Sequence, residues 1–341
     1  MGPSSDPTMR DVAALAGVGV MTVSRVVNDN DTVDPLLRQR VLDAISKLDY
    51  RPNKTASRMR SSQRTSGTVG LCVENVDHPY SSGIHRGLED VLRPRGFLVF
   101  SASSDGDADT ERRLIDAFCD RRVDGLVILP VGRDHSFLST RIARGLAVVY
   151  VDRPARALPA DVVTTEHEAG AFLGVSHLLE QGHRRIAFIG QTDVYPTSVR
   201  YAGYLRALAT KGLPADPRWV AAGACTLDDA DAAVKDLLTA SVPPTALFTG
   251  TDLLSMGARL ALHELGQENV IAHVGFDDFQ MANALVPALT VYEQNPIAIG
   301  RRCGELLLER LDHPTALESR SVIIPGDLLI RGSGEIAPLV P

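Results

Sequence analysis

Cysteine is scarce in this chain: Cys72, Cys119, Cys225 and Cys303 are scattered over 341 positions, with no Cys-x-x-Cys pair and no histidine at metal-ligand spacing. That usage argues against a disulfide framework and a zinc site, and predicts buried reduced thiols with no metal or cofactor. No stretch reaches the roughly 18 uninterrupted apolar residues that a membrane helix needs, and the opening MGPSSDPTMRD has no apolar leader. These absences predict a cytoplasmic protein with no membrane partner. Catalytic signatures are missing as well: there is no Gly-x-Ser-x-Gly elbow, no phosphate loop ending in Gly-Lys-Ser/Thr and no His-Glu-x-x-His. The nine histidines, among them His78, His177 and His183, have no obvious nucleophile or metal partner. They read as helix-end or loop residues, and the chain as a binder rather than an enzyme.

What is present divides unevenly. The length suggests two or three domains, each with enough apolar content to bury a core. Residues 1–65 carry ten Lys/Arg against seven Asp and no Glu, so against a total of −7 the remainder is strongly acidic. A small basic module on a large acidic body is the asymmetry expected when one end meets a polyanion.

The basic module reads as three short helices. Thr8 and Asp11 form a capping box that starts the first, with Val12, Leu15 and Ala16 as its apolar face. Gly17-Val18-Gly19 breaks it. A second helix over about 20–28 buries Val23, Val26 and Val27 and leaves Val20, Met21, Thr22 and Arg25 facing out. Asp34-Pro35 opens a third, with Leu37, Val41, Ile45 and Leu48 on its inner stripe. A glycine-containing turn between the first two makes a helix-turn-helix, and the basic charge points to nucleic acid. In a major groove Arg25 donates to guanine, Thr22 and Ser24 reach phosphates or base edges, and Val20 and Met21 pack on thymine methyls. Those same two residues equally suit a plain three-helix core. From Tyr50 the chain reads YRPNKTASRMRSSQRT, where Asn53 can cap one further turn or two through Ala56 and Met59. That segment is too short to stand alone as a helix. Formed only against DNA, it would present Met59 as a minor-groove wedge flanked by Arg58 and Arg60.

From Thr68 the pattern alternates strand and helix. TVGLCV, FLVFSAS, DGLVILP and AVVYVD are near-continuous apolar runs, as in a parallel sheet covered on both faces. Residues 69–96 and 186–212 echo each other as strand, polar loop, helix and glycine, which suggests two similar doubly wound α/β lobes. Ligands of such sheets sit beyond the carboxyl ends of the strands. Those ends read Asp77-His78-Pro79-Tyr80, 101–103, Asp152-Arg153, 191–193, Thr251-Asp252 and Asp277-Asp278. Carboxylates, hydroxyls and a stacking ring suit a polyol, although each residue alone could be an ordinary loop cap.

The ordered run TMRDVAALAGV, TVSRVVN, LDYRPN, GFDD and PGDLLIRGS resembles the lactose repressor/galactose repressor (LacI/GalR) family over residues 8 to about 333. The resemblance implies an all-α helix-turn-helix headpiece (8–52), a hinge helix and linker (53–66) and a two-lobed body of the periplasmic-binding-protein type (67–333). The first lobe takes about 67–163 plus 295–325, the second about 164–294 plus the C-terminal end. It implies a homodimer that reads pseudo-palindromic double-stranded operator DNA and whose operator affinity is set by a small effector. The DNA contacts implied are Thr8, Val20, Met21, Thr22, Ser24, Arg25, Asn28, Tyr50, Asn53, Ala56, Arg58 and Met59. Those to the effector are Tyr80, Asp152, Arg200, Thr251, Asp277 and Gln294. A repressor of sugar-uptake or catabolic genes is expected; a purine corepressor is the alternative, and a pure binding protein is disfavoured by the headpiece. Two departures stand out: Gly19 replaces the usual capping serine, and Ser57-Arg58-Met59 replaces the common Arg-x-Leu of the hinge.

Overall fold

The computed structural model describes residues 7–27, 32–51, 65–132, 134–154, 158, 160–313 and 318–338. The chain divides into two units, Met1–Ser66 and Gly67–Pro341. In the first, Thr8 opens α1 (Met9–Ala16) by the expected box: its hydroxyl accepts from the Asp11 amide, and the Asp11 carboxylate accepts from the Thr8 amide at 2.8 Å. Gly17 ends the helix at φ +64, a left-handed conformation that costs glycine nothing. Helix α2 (Val20–Val27) follows, and Asp34 caps α3 (Pro35–Lys47) by accepting from the Leu36 and Leu37 amides. Val12, Ala13, Ala16, Val23, Val26, Val41, Ala44 and Tyr50 form the core. Leu15, expected on the inner face, is 52 % exposed. At 3.6 residues per turn Ala13 and Ala16 continue the stripe of Val12, and Leu15 falls to one side of it.

The second unit holds two six-stranded sheets. Strands β1 (Thr68–Val73), β2 (Leu98–Ser103), β3 (Gly125–Ile128), β4 (Ala147–Val151) and β5 (Asp161–Thr165) join β11 (Ser321–Ile324) in the order β11-β5-β4-β3-β1-β2, all parallel. Strands β6 (Ile186–Ile189), β7 (Val220–Ala221), β8 (Ala246–Thr249), β9 (Ala272–Phe276) and β10 (Thr290–Glu293) join β12 (Asp327–Leu329) in the order β12-β10-β9-β8-β6-β7, parallel except where β12 meets β10. Apart from its last strand each sheet repeats one doubly wound order, which is the source of the echo in the sequence. Covering helices are α4 (Pro79–Leu92), α5 (Ala108–Asp120), α6 (Ser139–Ile142) and α11 (Pro296–Asp312) on the first lobe. The second carries α7 (His167–Glu180), α8 (Thr197–Thr210), α9 (Leu227–Thr239) and α10 (Asp252–Glu264).

The chain passes between the sheets three times, from β5 to α7, from β10 to α11 and from β11 to β12. Gly87 on α4 and Gly300 on α11 let those two helices touch backbone to backbone, because a Cβ on either would collide with a carbonyl of the other, Ile297 or Ile84. Asp161, at 0 % exposure, accepts from Arg310 Nε and Nη2 at 3.0 and 2.8 Å, and from Arg320 N and Nη2 at 2.8 and 2.9 Å. These donors overcome burial and hold its carboxyl at about 2.

Two expectations are corrected. Strand β2 is not covered on both faces: it is a sheet edge, and Leu98 and Phe100 are 61 % and 51 % exposed. Of the thiols only Cys72 and Cys303 are buried, whereas Cys119 is partly covered and Cys225 exposed.

Candidate functional sites

Two aspartates mark the same place in the two lobes. Asp152 directly follows β4 and Asp277 directly follows β9, the equivalent strands of the two sheets, and both adopt left-handed backbone, at φ +71 and +73. Aspartate is among the few non-glycine residues that tolerate this conformation. Asp152 Oδ1 accepts from the Tyr80 hydroxyl at 3.4 Å and Oδ2 from Arg153 Nε at 3.3 Å. Burial pushes the Tyr80 phenol up, which keeps it a donor. Asp277 accepts from Gln294 Nε2 on Oδ1 and from Arg200 Nη1 on Oδ2, the latter at 3.2 Å. Burial raises its carboxyl above the ordinary range against the pull of Arg200.

Arg200, 2 % exposed on α8, is largely committed before any ligand arrives. Nη1 donates to the Gly250 carbonyl at 2.6 Å and to Asp277; Nε and Nη2 both face His167 Nδ1, at 3.4 and 3.3 Å. Its flat face lies 3.7 Å over the Phe276 ring. Of five N–H donors, one on Nη2 remains. Gln294 is the complement: it is 5 % exposed, Nε2 is spent on Asp277, and Oε1 is buried with no partner. An unpaired buried acceptor costs about 1–3 kcal/mol, so a donor belongs there.

Between the lobes, His78 of the first meets Asp252 of the second at 3.2 Å. Its Nδ1 accepts from the Tyr80 amide, so in the neutral ring Nε2 carries the proton towards Asp252, and that carboxylate raises the His78 pKa above its ordinary 6.5.

The expected residues Tyr80, Asp152, Arg200, Asp277 and Gln294 form one connected polar network through His167. Thr251 is different: its hydroxyl caps α10 by accepting from the Leu254 amide at 3.3 Å. Ser101 and Ser103, read as strand-end candidates, bond His85 and the Val76 amide instead. His78 lies in the strand-end run read from the sequence, whereas His167 and Phe276 were missed as site members. The signal for His167 was a lone imidazole in TTEHEAG, at the first position of a helix that follows a buried strand. In the headpiece, α2 exposes Val20, Met21 (71 %) and Arg25 while Thr22 and Ser24 are half-buried. Tyr50 is 8 % exposed and packs in the headpiece core, and the Thr8 hydroxyl is engaged with Asp11. Asn28, Asn53, Ala56, Arg58 and Met59 lie outside the described residues.

A helix-turn-helix unit followed in sequence by two α/β lobes that share a polar cleft defines a DNA-binding regulator with its own ligand site. Comparison with known proteins agrees. Residues 8–53 match the bacterial regulatory proteins of the lacI family, and residues 175–334 a periplasmic binding protein-like domain. The regulator CelR of Thermobifida fusca is 34 % identical over 96 % of this chain and 98 % of its own. The HTH-type transcriptional repressor PurR of Haemophilus influenzae is 30 % identical over 96 % and 98 %. Among solved structures, a CelR–cellobiose complex superposes with a TM-score of 0.71 at 32 % identity, over 96 % of this chain and 99 % of that one. A lac repressor dimer bound to operator and an anti-inducer gives 0.84 at 25 %, over 98 % and 100 %. The chain belongs to the lacI family of ligand-responsive transcription regulators.

Proposed function

We propose that this regulator is a homodimeric repressor whose effector is a hydroxyl-rich sugar held between the lobes. The observation that carries the reading is the donor and acceptor balance of the cleft. Gln294 Oε1 needs a donor, the carboxylates of Asp152 and Asp277 accept further donors, and Arg200 has one N–H to give. A group that both donates and accepts at several points is a polyol. The cellobiose bound by CelR and the exposed edge strand β2, a surface suited to a second copy, support the same picture. A purine effector is the second reading, favoured by the likeness to PurR. In both, the cleft binds and does not turn over its ligand. The headpiece (8–52) reads the operator through Arg25, with Thr22, Ser24, Val20 and Met21 beside it, and the segment 53–66 forms the hinge with Met59 as wedge. A thermal-shift panel of sugars, cellobiose included, and nucleobases tests the proposal. A ligand at 100 times its Kd adds about 2.7 kcal/mol, and a shift with nucleobases alone would overturn the sugar reading.

A further inference from the structure

Both lobes meet on one imidazole. A guanidinium has N–H donors and no lone pair to offer, so the His167 Nδ1 facing Arg200 Nε and Nη2 must be unprotonated. The ring proton is then on Nε2, which faces the Asp152 carbonyl oxygen at 3.3 Å and its Oδ1 at 3.6 Å. His167 is 2 % exposed, and burial together with the Arg200 charge pushes it down to about 4, so the ring stays neutral in the working range. Tyr195 closes a further side, edge-on at 5.6 Å. Asp152 belongs to the first lobe and Arg200 to the second, while His167 begins α7 just past the first crossing.

We propose that His167 is the positioning residue of the cleft: its Nδ1 lone pair aims the Arg200 guanidinium, and its Nε2–H makes that aim depend on where the first lobe holds Asp152. If the lobes shift, the ring either releases Asp152 or turns with it, and turning withdraws the acceptor from Arg200. Gly250 and Asp277 hold only Nη1, and the Phe276 ring fixes the plane of the guanidinium but not its rotation within that plane, so without His167 the group can turn about Nη1 and carry its one uncommitted N–H off target. This deepens the ligand reading above and rests on Arg200 being a ligand group.

Side-chain ¹⁵N NMR on the full chain tests the device with no ligand present, so failure of the sugar assignment leaves the result standing. The Arg200 Nε–H signal is assigned by its loss in Arg200→Lys. His167→Asn keeps an acceptor at the Nδ1 position and loses the reach to Asp152; His167→Gln keeps a donor at the Nε2 position and loses the acceptor beside Arg200. Exchange of the Arg200 Nε–H with water is expected to stay near the parent rate in the Asn variant and to rise about 10-fold in the Gln variant. Asp252→Asn, which takes the charge out of the His78 contact across the lobes and so weakens it, is expected to raise that exchange in the parent and to add nothing in His167→Asn. An Nδ1–H tautomer for His167 at pH 7, equal exchange in the Asn and Gln variants, or additive effects of Asp252→Asn would each overturn the proposal.

Discussion

Replacing Asp161 by Asn removes one charge from a carboxylate that five arginine N–H contacts surround while keeping its volume. The carboxyl sits at about 2 in the folded chain against an ordinary 3.8, and its complete burial means that the contribution is little screened. Because the folded value is depressed, the stabilisation is full above the unfolded value and is lost as pH falls through the folded one. At pH 7 it amounts to about 2.4 kcal/mol, and by pH 3 it has dropped to about 1.3 kcal/mol. Arg310 and Arg320 are 17 % and 32 % exposed, Arg310 retains the Glu318 carbonyl and Arg320 retains Glu309, so both cations keep other partners and some solvent. The substitution should therefore fall below the roughly 3–5 kcal/mol of a fully buried broken pair. Urea melts of parent and Asp161→Asn at pH 7 and pH 3, read in the far-ultraviolet, measure the gap at both ends. A loss near 2.4 kcal/mol that about halves at pH 3 is expected. No gap at pH 7, or one that stays constant with pH, would refute the account of how α11 and β11 are fastened to the first lobe.

Arg25→Ala should cost about 1–3 kcal/mol on the operator and relax base preference at one position; unchanged preference in a binding-site selection would remove Arg25 from base reading. Gln294→Leu takes the donor from Asp277 together with the unpaired acceptor. Calorimetry with the sugar found by the panel should show a loss of about 1.5–3 kcal/mol, the range for hydrogen bonds to charged groups. Unchanged affinity would mean that the ligand sits elsewhere. With a thiol reagent under native conditions Cys225 should react first. Cys72, pushed up to about 12 by burial, and Cys303, also raised by burial, should react only on unfolding. Prompt labelling of Cys303 would contradict the packing of α11.

The alternation of apolar runs with helices announced the doubly wound lobes because fully buried parallel strands leave that mark directly in composition. It could not announce that β2 is an edge: FLVFSAS is as apolar as its neighbours, and what distinguishes it is only that no strand pairs on its far side. In the cleft, YVDR and GFDD were legible since each ends a strand with a carboxylate. His167 was not, because its importance comes from Asp152 and Arg200, which lie 15 and 33 positions away. Thr251 is ambiguous for the opposite reason: a hydroxyl at a strand end serves equally as a helix cap, the use seen at the start of α10, and nothing in a linear pattern separates the two uses. Tyr50 likewise carries the chemistry of a DNA contact and packs inward.

The interleaving of the body also governs how such a regulator can be rebuilt. Residues 1–66 form a contiguous unit, so a cut near position 66 lifts out the operator-reading part as one cassette. No cut does the same for a lobe. Ending the chain after β10 would strip the first lobe of α11 and β11, and with them the Arg310 and Arg320 partners of Asp161, while removing β12 from the second. Operator preference is therefore exchangeable by recombination at a single joint. Ligand preference has to be changed by substitutions in loops that face each other from distant parts of the sequence, with every intermediate obliged to keep both lobes folded.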